Sequence, residues 1–428
     1  MQGFVPVPRQ MVKRLLSCEV PETCPEQVEY VDNGNGLTEV VPYYFRLKTW
    51  TKRRWIGKTL SQVYQSEFIE HPPAYYKAAI ELGRITVNKR QVTEDYLIRE
   101  GDLLEHLLHR HEPPVLSRPI RKIFEDEDVL VVDKVASYQV HPTGRYFHNT
   151  LIKRLCSDYG YSFLAVCNRL DRLTSGIVIL AKNKETAQKL SIQMASRQVQ
   201  KEYIAKVDGC FGSGESGGTL ECSLPVGAIS HKLSINSVHG KDARPSVTIF
   251  ERISYCPITN TSIVSCKPLT GRTHQIRVHL RYLGNPICND RLYNNKIWNE
   301  ELERGKGKCI SEVSFAVSER ILKLLECKES EGTDTESIGI ENNASVETDG
   351  AEEAKKELTA ELEDYFNCSN SSLAGYDFCS EKNLCYMCEN PPKLPDINSL
   401  FICLHAYKYK LLDNNQEFVT DLPDWAQN

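Results

Sequence analysis

Short apolar segments bounded by polar residues recur along the middle of the chain. Residues 129–132 and 177–181 are unbroken apolar runs, and residues 203–207 and 263–266 are strand-like segments of similar length. Residues 400–407, near the end of the chain, return to the same pattern. Apolar runs of this length between turn residues are typical of buried strands. The pattern therefore predicts a sheet built from several buried strands.

Helical patterns lie between these strands without a regular order. Residues 60–82, 184–200 and 273–283 each place apolar residues at helical spacing and are predicted to be helices. A doubly wound α/β fold would require a strict alternation of strand and helix, which the chain lacks. The predicted fold class is α+β, with a mixed, largely antiparallel sheet and flanking helices.

The net charge of the chain is −5, but the charges are unevenly distributed. Residues 326–364 contain fourteen acidic residues and three lysines, a net charge of −11, so the rest of the chain carries +6. Residues 46–122 alone contain fifteen Lys or Arg and nine Asp or Glu residues. A basic body suits a polyanionic ligand. The acidic segment is predicted to be disordered or only locally helical.

Cysteine usage and the N-terminal residues bear on the compartment. The sixteen cysteines are scattered, and the first eighteen residues contain no apolar signal region. We therefore expect reduced thiols in a cytoplasmic or nuclear protein. Arg9, Lys13 and Arg14 precede the first acidic residue and leave a mitochondrial location open. No membrane span is expected, because no run approaches about eighteen apolar residues.

Residues 168–176 carry the most distinctive chemistry. They place Asp171 between Arg169 and Arg172, directly before an apolar run. A carboxylate between cations stays ionised, and at the mouth of a sheet it could serve as a nucleophile or a base. An arbitrary turn with this pattern is more often only a salt-bridged turn. Both interpretations stay open on these residues alone.

Three blocks of the sequence, in the same order, resemble the RluA-type pseudouridine synthases. Residues 168–176 resemble the motif His-Arg-Leu-Asp-x-x-Thr-Ser-Gly, with Asn168 in place of the histidine. Residues 201–203 and 269–280 match two further blocks, the second followed by Gly-Asn-Pro-Ile and Asp290. Within the family, the sequence looks most like the eukaryotic branch that contains animal RNA pseudouridylate synthase domain-containing proteins and fungal tRNA uridine-32 synthases.

The resemblance implies an α+β pseudouridine synthase domain preceded by a small S4-like RNA-binding domain. The last segment resembles the closing strand of the catalytic domain, so the acidic segment is an insertion and its two ends are expected to meet in the sheet. The expected segments are an irregular N-terminus at 1–42, the basic aromatic segment with the S4-like domain at 43–115, the catalytic domain at 116–295, the acidic insertion at 296–397 and the closing segment at 398–428.

The resemblance also implies the reaction, the isomerisation of uridine to pseudouridine in RNA without a cofactor. Asp171 matches the essential aspartate, which either attacks C1′ of the sugar or removes a sugar proton. Tyr203 matches the active-site tyrosine, which stacks under the uracil and accepts the C5 proton. Arg277 matches the basic partner of the aspartate. Arg169 matches the residue that fills the space of the flipped uridine.

The partner implied by the resemblance is RNA, with tRNA and its uridine 32 as the expected target. Residues 43–55 interleave aromatic residues with cations, which suits base stacking and phosphate contacts but equally suits a strand whose aromatic residues pack inward. Residues 57–108 resemble an S4 domain. The predicted RNA contacts are Arg169, Arg172, Arg272 and His274 beside the site and Lys77, Arg84, Lys89 and Arg90 in the S4-like domain. A non-catalytic RNA-binding protein that keeps the fold is the alternative.

One cysteine pair raises the question of a metal site. Cys385 and Cys388 form a C-x-x-C pair, and a structural zinc site needs two further ligands. Cys368, Cys379 and His405 are available, but their spacing follows no zinc-binding pattern. We therefore predict that the protein has no metal site.

Overall fold

The computed structural model describes residues 28–68, 71, 73–212, 219–230, 235–238, 240–295, 385–389 and 391–427. The acidic segment at 326–364 and residues 1–27 lie outside the described residues. The chain divides into two compact units. The first comprises residues 1–114, 144–149 and 368–395, and the second comprises residues 115–143, 150–367 and 396–428. Within the described ranges, no helix is long and apolar enough to span a bilayer.

Strands outnumber helices in the described part of the chain. The strands are β1 Tyr30–Asp32, β2 Leu37–Val40, β3 Tyr43–Trp50, β4 Ile85–Val87, β5 Arg90–Gln91, β6 Leu103–Arg110, β7 Val115–Leu116, β8 Arg121–Glu125, β9 Val129–Lys134, β10 Ala165–Val166, β11 Ser175–Ala181, β12 Val199–Asp208, β13 Thr219–Cys222, β14 Val226–Ser230, β15 Ile235–Ser237, β16 Lys241–Arg244, β17 Thr248–Cys256, β18 Thr261–Pro268, β19 Leu404–Leu411 and β20 Glu417–Val419. The α-helices are α1 Leu60–Glu67, α2 Pro73–Glu81, α3 Leu151–Tyr159, α4 Lys184–Ala195, α5 Gln275–Tyr282 and α6 Tyr386–Glu389, and the 3₁₀ helices are Arg53–Trp55, Ile397–Leu400 and Asp424–Ala426.

The first unit contains a four-stranded antiparallel sheet in the order β3-β6-β4-β5. Residues 60–82 form two helices, α1 and α2, and not the single helix that the sequence predicted. Two consecutive prolines at 72–73 explain the break, because proline lacks the amide that continues a helix and disfavours helical geometry in the residue before it. A capping box between Thr59 and Gln62 starts α1. Buried side chains such as Trp55, Tyr64 and Ile85 form the core of this unit.

The second unit contains a mixed sheet to which ten strands of the described residues belong. Its order is β13-β17-β18-β12-β19-β11-β9-β8, with β10 beside β11 and β20 beside β19. β11 and β19 are parallel, and the other pairs are antiparallel. The α+β fold with a mixed, largely antiparallel sheet is therefore confirmed.

β19, in the segment after the acidic stretch, lies between β11 and β12. Ser175 of β11 is opposite His405, and Tyr203 of β12 is opposite Ala406. Gly176 permits the close approach of β19. Its φ is +109°, and a Cβ atom added to it would lie 2.3 Å from the carbonyl oxygen of Ala406. Only glycine fits this position, and it joins the 168–176 motif to the last part of the chain.

Two predicted helix boundaries were wrong. α4 ends at Ala195 and not at 200, because Arg197 has a φ of +61° and the chain then enters β12. α5 begins at Gln275 and not at 273, because His274 has a φ of +58°. α5 is buried on all sides from Gln275 to Arg281.

Candidate active site

Asp171 lies in a turn between β10 and β11 in the second unit. The amide of Thr174 donates to the Asp171 carbonyl oxygen at 3.1 Å, which closes the turn. Asn168, at the start of the motif, is buried and binds the backbone of β11. Its amide nitrogen donates to the carbonyl oxygen of Ile177 at 3.1 Å, and its oxygen accepts from the amide of Ile179 at 2.7 Å. Asn168 therefore anchors the loop that presents Asp171.

A buried guanidinium joins Asp171 to a second carboxylate. Nη1 of Arg277 lies 3.2 Å from Oδ2 of Asp171, while Nε and Nη2 donate to Asp290 at 2.7 and 2.9 Å. The side chains of Arg277 and Asp290 are only 1% and 0% exposed, whereas that of Asp171 is 29% exposed. Asp290 thus fixes the orientation of the guanidinium, and Asp171 keeps an accessible carboxylate.

The surroundings of Asp171 favour its ionised form. Burial opposes ionisation, but His274, Arg277 and Lys134 together more than offset it, so the pKa of Asp171 lies below its usual value. Burial lowers the pKa of His274 to about 4, so this imidazole is neutral at pH 7. At neutral pH, Arg277 is therefore the main cation that stabilises the Asp171 carboxylate.

His274 is held beside the carboxylate by a tyrosine. Its Nε2 lies 3.7 Å from Oδ2 of Asp171, and its Nδ1 lies 3.0 Å from the hydroxyl of Tyr293. The same hydroxyl accepts a hydrogen bond from the amide of Asn236 at 2.9 Å. The structure therefore brings His274 to the site, as a neutral polar neighbour of Asp171.

Lys134 is a member of the site that the sequence analysis missed. The lysine is fully buried at the end of β9, and its Nζ donates to the carbonyl oxygens of Val135, Tyr138 and Arg172 at 3.0–3.1 Å. Burial lowers its pKa to about 7. The contact with the Arg172 carbonyl attaches Lys134 to the loop that carries Asp171. A lysine at the end of a predicted buried strand, two residues after its apolar run, is the sequence signal that could have identified it.

Tyr203 lies in β12 and is paired with a second tyrosine. The hydroxyls of Tyr203 and Tyr409 are 2.5 Å apart. Burial raises the pKa of Tyr203 to about 12, with a further contribution from the charge of Asp171. Tyr203 is therefore a protonated phenol at neutral pH and lies within the electrostatic influence of Asp171. Tyr409 comes from β19, which the sequence analysis placed in the sheet without assigning this residue a role.

The three predicted arginines of the second unit differ in exposure. Arg169 is exposed, while Arg172 and Arg272 are half-buried. Nε of Arg272 lies 3.4 Å from the carbonyl oxygen of Pro245. Arg169 and Arg172 flank Asp171 in the same loop, and Arg272 precedes α5, the helix that carries Arg277. All three therefore belong to the segments that form the site.

The predicted RNA contacts of the first unit lie on α2 and around β4. Lys77 is exposed on α2, 3.8 Å from Glu94. Lys89 and Arg90 are exposed at the turn between β4 and β5, and Arg84 is half-buried directly before β4. These cations lie in the first unit, and Asp171 lies in the second.

Of the ligands considered for the cysteine pair, only His405 is among the described residues. His405 lies in β19, where Nδ1 is 2.8 Å from the Ser175 hydroxyl and Nε2 is 2.6 Å from that of Thr420. Cys368 and Cys379 lie outside the described residues. The thiols of the pair, Cys385 and Cys388, lie close to His109 and His111 of the first unit.

Comparisons with known proteins agree with the chemistry of this site. The sequence model of RNA pseudouridylate synthase matches residues 128–282, which include Asp171, Tyr203 and Arg277. The chain is 40% identical to the tRNA pseudouridine(32) synthase, mitochondrial, of Saccharomyces cerevisiae, across 94% of this chain and 79% of the relative. It is 35% identical to the human pseudouridylate synthase RPUSD2, across 92% and 74% of the two chains. It is 34% identical to the yeast tRNA pseudouridine(31) synthase, across 92% and 96%.

The comparisons place the chain in a class of isomerases that act on RNA. The chain belongs to the RNA pseudouridylate synthase family, whose members convert uridine in RNA to pseudouridine. The resemblance that the three sequence blocks indicated is therefore confirmed.

Proposed function

We propose that this pseudouridine synthase modifies tRNA and that Asp171 performs the first chemical step. The observation that carries the proposal is the Asp171 carboxylate, ionised and partly accessible, held by a buried guanidinium that Asp290 orients. This arrangement provides one reactive carboxylate whose rotamer and charge are both controlled. A solvated salt bridge would not need a second, fully buried carboxylate behind the arginine.

The reaction breaks the bond between C1′ and N1 of uridine, turns the base and rejoins it to the sugar through C5. Asp171 either attacks C1′ or removes a sugar proton, and either role requires the ionised form that its surroundings favour. Arg277 keeps the carboxylate ionised and in place. No step transfers an electron or consumes water, so one carboxylate suffices where a glycosidase needs two.

Tyr203 is proposed to stack under the uracil and to receive the C5 proton. Its ring comes from β12, which pairs with β19, and its hydroxyl is paired with that of Tyr409. Because its pKa is raised to about 12, Tyr203 is protonated at neutral pH. To accept the C5 proton it must give its own hydroxyl proton to N1 of the turned uracil, the atom that gains a proton in the product. The contact between the hydroxyls of Tyr203 and Tyr409 stabilises the negative charge that develops on Tyr203 during this exchange.

The target uridine must leave its stack before it reaches Asp171, because the carboxylate is only partly exposed. Arg169 is exposed two residues before Asp171 and is proposed to fill the space that the flipped base vacates. Arg172, Arg272 and His274 are proposed to hold the flipped nucleotide and its phosphates. A tRNA substrate is proposed because two yeast relatives are named as tRNA pseudouridine synthases, for positions 32 and 31.

Asp171→Asn tests the proposal. The variant keeps the shape of the side chain and removes its charge, so we expect pseudouridine formation to fall by at least about 10³-fold while RNA affinity is retained. Wild type and variant are incubated with unmodified tRNA and with total unmodified RNA, and pseudouridine is mapped by sequencing. Sites made by both proteins would contradict the role of Asp171. Sites made by neither, with RNA binding intact, would favour the non-catalytic alternative.

We also propose that the first unit binds RNA as an S4-like module, with a division between this module and the catalytic segment at about residue 115. Its two helices are followed by the β4–β5 hairpin, whose turn exposes Lys89 and Arg90. Each lost phosphate contact should lower the slope of log affinity against log salt by about 0.7–0.9. Lys77 and Arg84 are the other proposed contacts of this module.

The double variant Lys89→Glu/Arg90→Glu tests the S4-like module. We expect weaker tRNA binding and a shallower salt dependence, because two phosphate contacts become repulsive. The matched control is Lys184→Glu/Lys189→Glu, which makes the same change of charge at two exposed lysines on α4. Binding is measured by fluorescence anisotropy at several salt concentrations. Equal losses in both proteins would show that only total charge matters and would reject the module.

A mitochondrial pool of the protein is proposed alongside the cytoplasmic or nuclear location that the sequence suggested. One yeast relative is named as mitochondrial, and Arg9, Lys13 and Arg14 precede the first acid of this chain. Fractionation of cells that express the tagged full chain tests this. Complete absence from the mitochondrial fraction would reject it.

A further inference from the structure

Four side chains with metal-binding atoms converge in the first unit, in segments that carry none of the residues of the Asp171 site. Their donor atoms all lie within 4.8 Å of one another, and all four side chains are half-buried. Sγ of Cys385 is 3.2 Å from Nε2 of His111, and Sγ of Cys388 is 3.3 Å from both Nε2 of His111 and Nδ1 of His109. We refer to His109, His111, Cys385 and Cys388 as the Cys2His2 cluster.

Local structure explains why each pair points to the same place. His109 lies in β6, and His111 follows two residues later in extended chain, so both side chains project from the same face. Cys385 and Cys388 are three residues apart at the one-turn helix α6, and this spacing brings both thiols to one side. His111 and Cys385, one residue from each pair, are 274 residues apart in the sequence. Neither pair alone is a complete site.

The distances fit a tetrahedral zinc ion. Zinc bound at about 2.3 Å from sulfur and about 2.0–2.1 Å from nitrogen keeps its ligand atoms about 3.3–3.8 Å apart. The observed contacts between sulfur and nitrogen, 3.2–3.3 Å, are close to this range. A set of two sulfurs and two imidazoles favours zinc over magnesium or calcium, which prefer oxygen ligands. Four protein ligands leave no position for water, which is typical of a structural site.

The histidine side of the cluster is held in place by contacts that do not involve the cysteines. Arg110 donates to the carbonyl oxygen of Gly144. The Glu112 carboxylate accepts from the hydroxyl of Tyr43 at 2.6 Å and from the backbone amides of residues 147–149 at 2.8 Å. These anchors flank His111 on both sides in sequence. The imidazoles are therefore presented by a rigid segment, so binding would cost little reorganisation.

Charge balance also favours a divalent cation. Two thiolates and two neutral imidazoles around Zn²⁺ give a complex with no net charge, which suits a half-buried position. Neither Cys385 nor Cys388 is in a disulfide bond. A redox-active dithiol needs only its two sulfurs, whereas here two ring nitrogens approach the same sulfurs from a separate strand.

We propose that His109, His111, Cys385 and Cys388 bind one structural zinc ion. The ion attaches the segment around α6 to the end of β6, and so joins a late part of the chain to the sheet that carries the proposed RNA contacts. Because the site forms only in the folded chain, zinc binding stabilises the first unit. The proposal is independent of the role proposed for Asp171.

The metal content of the purified full chain tests the site. The protein is expressed without a metal-binding affinity tag. We expect inductively coupled plasma mass spectrometry to find about one zinc ion per chain. His111→Ala and Cys388→Ser should each lose the zinc. The matched controls His141→Gln and Cys256→Ser, which change residues outside the cluster, should keep it. A metal-free wild type, iron or copper in place of zinc, or equal zinc in cluster and control variants would overturn the proposal.

Two further measurements guard against variants that simply fail to fold. His111→Cys should retain zinc, because three cysteines and one histidine also form a tetrahedral zinc site. Wild type refolded with cobalt(II) should show tetrahedral ligand-field bands and thiolate-to-metal charge-transfer absorption. His111→Cys should show stronger charge transfer, because it adds a third thiolate. A cobalt spectrum without thiolate bands, or a Cys385–Cys388 disulfide found in the native protein by peptide mapping, would reject the site.

Discussion

Arg277 shares one guanidinium between two carboxylates with different environments. Asp290 is fully buried and binds two of its nitrogens, and it also accepts hydrogen bonds from the amides of Leu292 and Tyr293. Asp171 binds the remaining nitrogen and is partly exposed. The pairing with Asp290 therefore offsets the cost of burying the charge of Arg277, and the contact with Asp171 stabilises the ionised carboxylate of that residue. Asp290 is a positioning residue in this arrangement.

Asp290→Ala should destabilise the protein by about 3–5 kcal/mol, because it leaves Arg277 buried with only one carboxylate. Urea unfolding at neutral pH measures the change. The control Glu417→Ala removes an exposed ion pair with Lys408 and should change the unfolding free energy by less than about 1 kcal/mol. A loss of similar size in the two variants would contradict the importance that we assign to the buried pair.

At the scale of elements, the site depends on the contact between β11 and β19. β11 begins four residues after Asp171, and β19 contributes Tyr409, the partner of Tyr203. The two strands touch at Gly176, where there is no room for a Cβ atom. One pair of parallel strands thus connects the Asp171 loop, Tyr203 and the last part of the chain.

Gly176→Ala should therefore separate β11 from β19. We expect a loss of stability above about 4 kcal/mol, since the added methyl meets backbone atoms that cannot move aside. The control Gly160→Ala has a positive φ but open space around it, so only backbone strain of about 1–2 kcal/mol applies. Thermal and urea unfolding of both variants provide the comparison. Similar stabilities would show that β19 can shift without cost.

At the scale of the whole molecule, buried histidines make stability depend on pH. Burial lowers the pKa values of His274 and His405 to about 4, from an ordinary value of 6.5. Between these pH values the unfolded chain binds more protons than the folded chain, so the unfolding free energy rises with pH across this window. Acidification from pH 7 to pH 5 should therefore remove up to about 2 kcal/mol per histidine.

His405→Gln tests this origin of the pH dependence. Glutamine can still form hydrogen bonds with Ser175 and Thr420 but does not titrate, so the difference in unfolding free energy between pH 7 and pH 5 should shrink by up to about 2 kcal/mol. The control His141→Gln should leave the difference unchanged. Urea unfolding at both pH values gives the comparison. An unchanged pH dependence in His405→Gln would assign the effect to other groups.

Local patterns were enough to identify the central strands of the large sheet. The apolar runs before and after the 168–176 motif became β9 and β11, because an unbroken apolar run of this length is buried on both faces when it forms a strand. Asp171, Tyr203 and Arg277 became candidates for the site because each lies in a block that resembles a family motif. Helix ends at Ala195 and Gln275 were missed because single residues with positive φ decided them.

The sequence by itself determined the fold class and the family and supplied Asp171, Tyr203 and Arg277 as candidates for the site, since these depend on short-range patterns. The tertiary structure alone decided that Asp290 orients Arg277 and that Lys134 supports the Asp171 loop. It also decided that two histidines of β6 and its extension meet Cys385 and Cys388. These contacts join segments that are far apart in the chain. The strand order of the sheets brings them together, and no local pattern encodes that order.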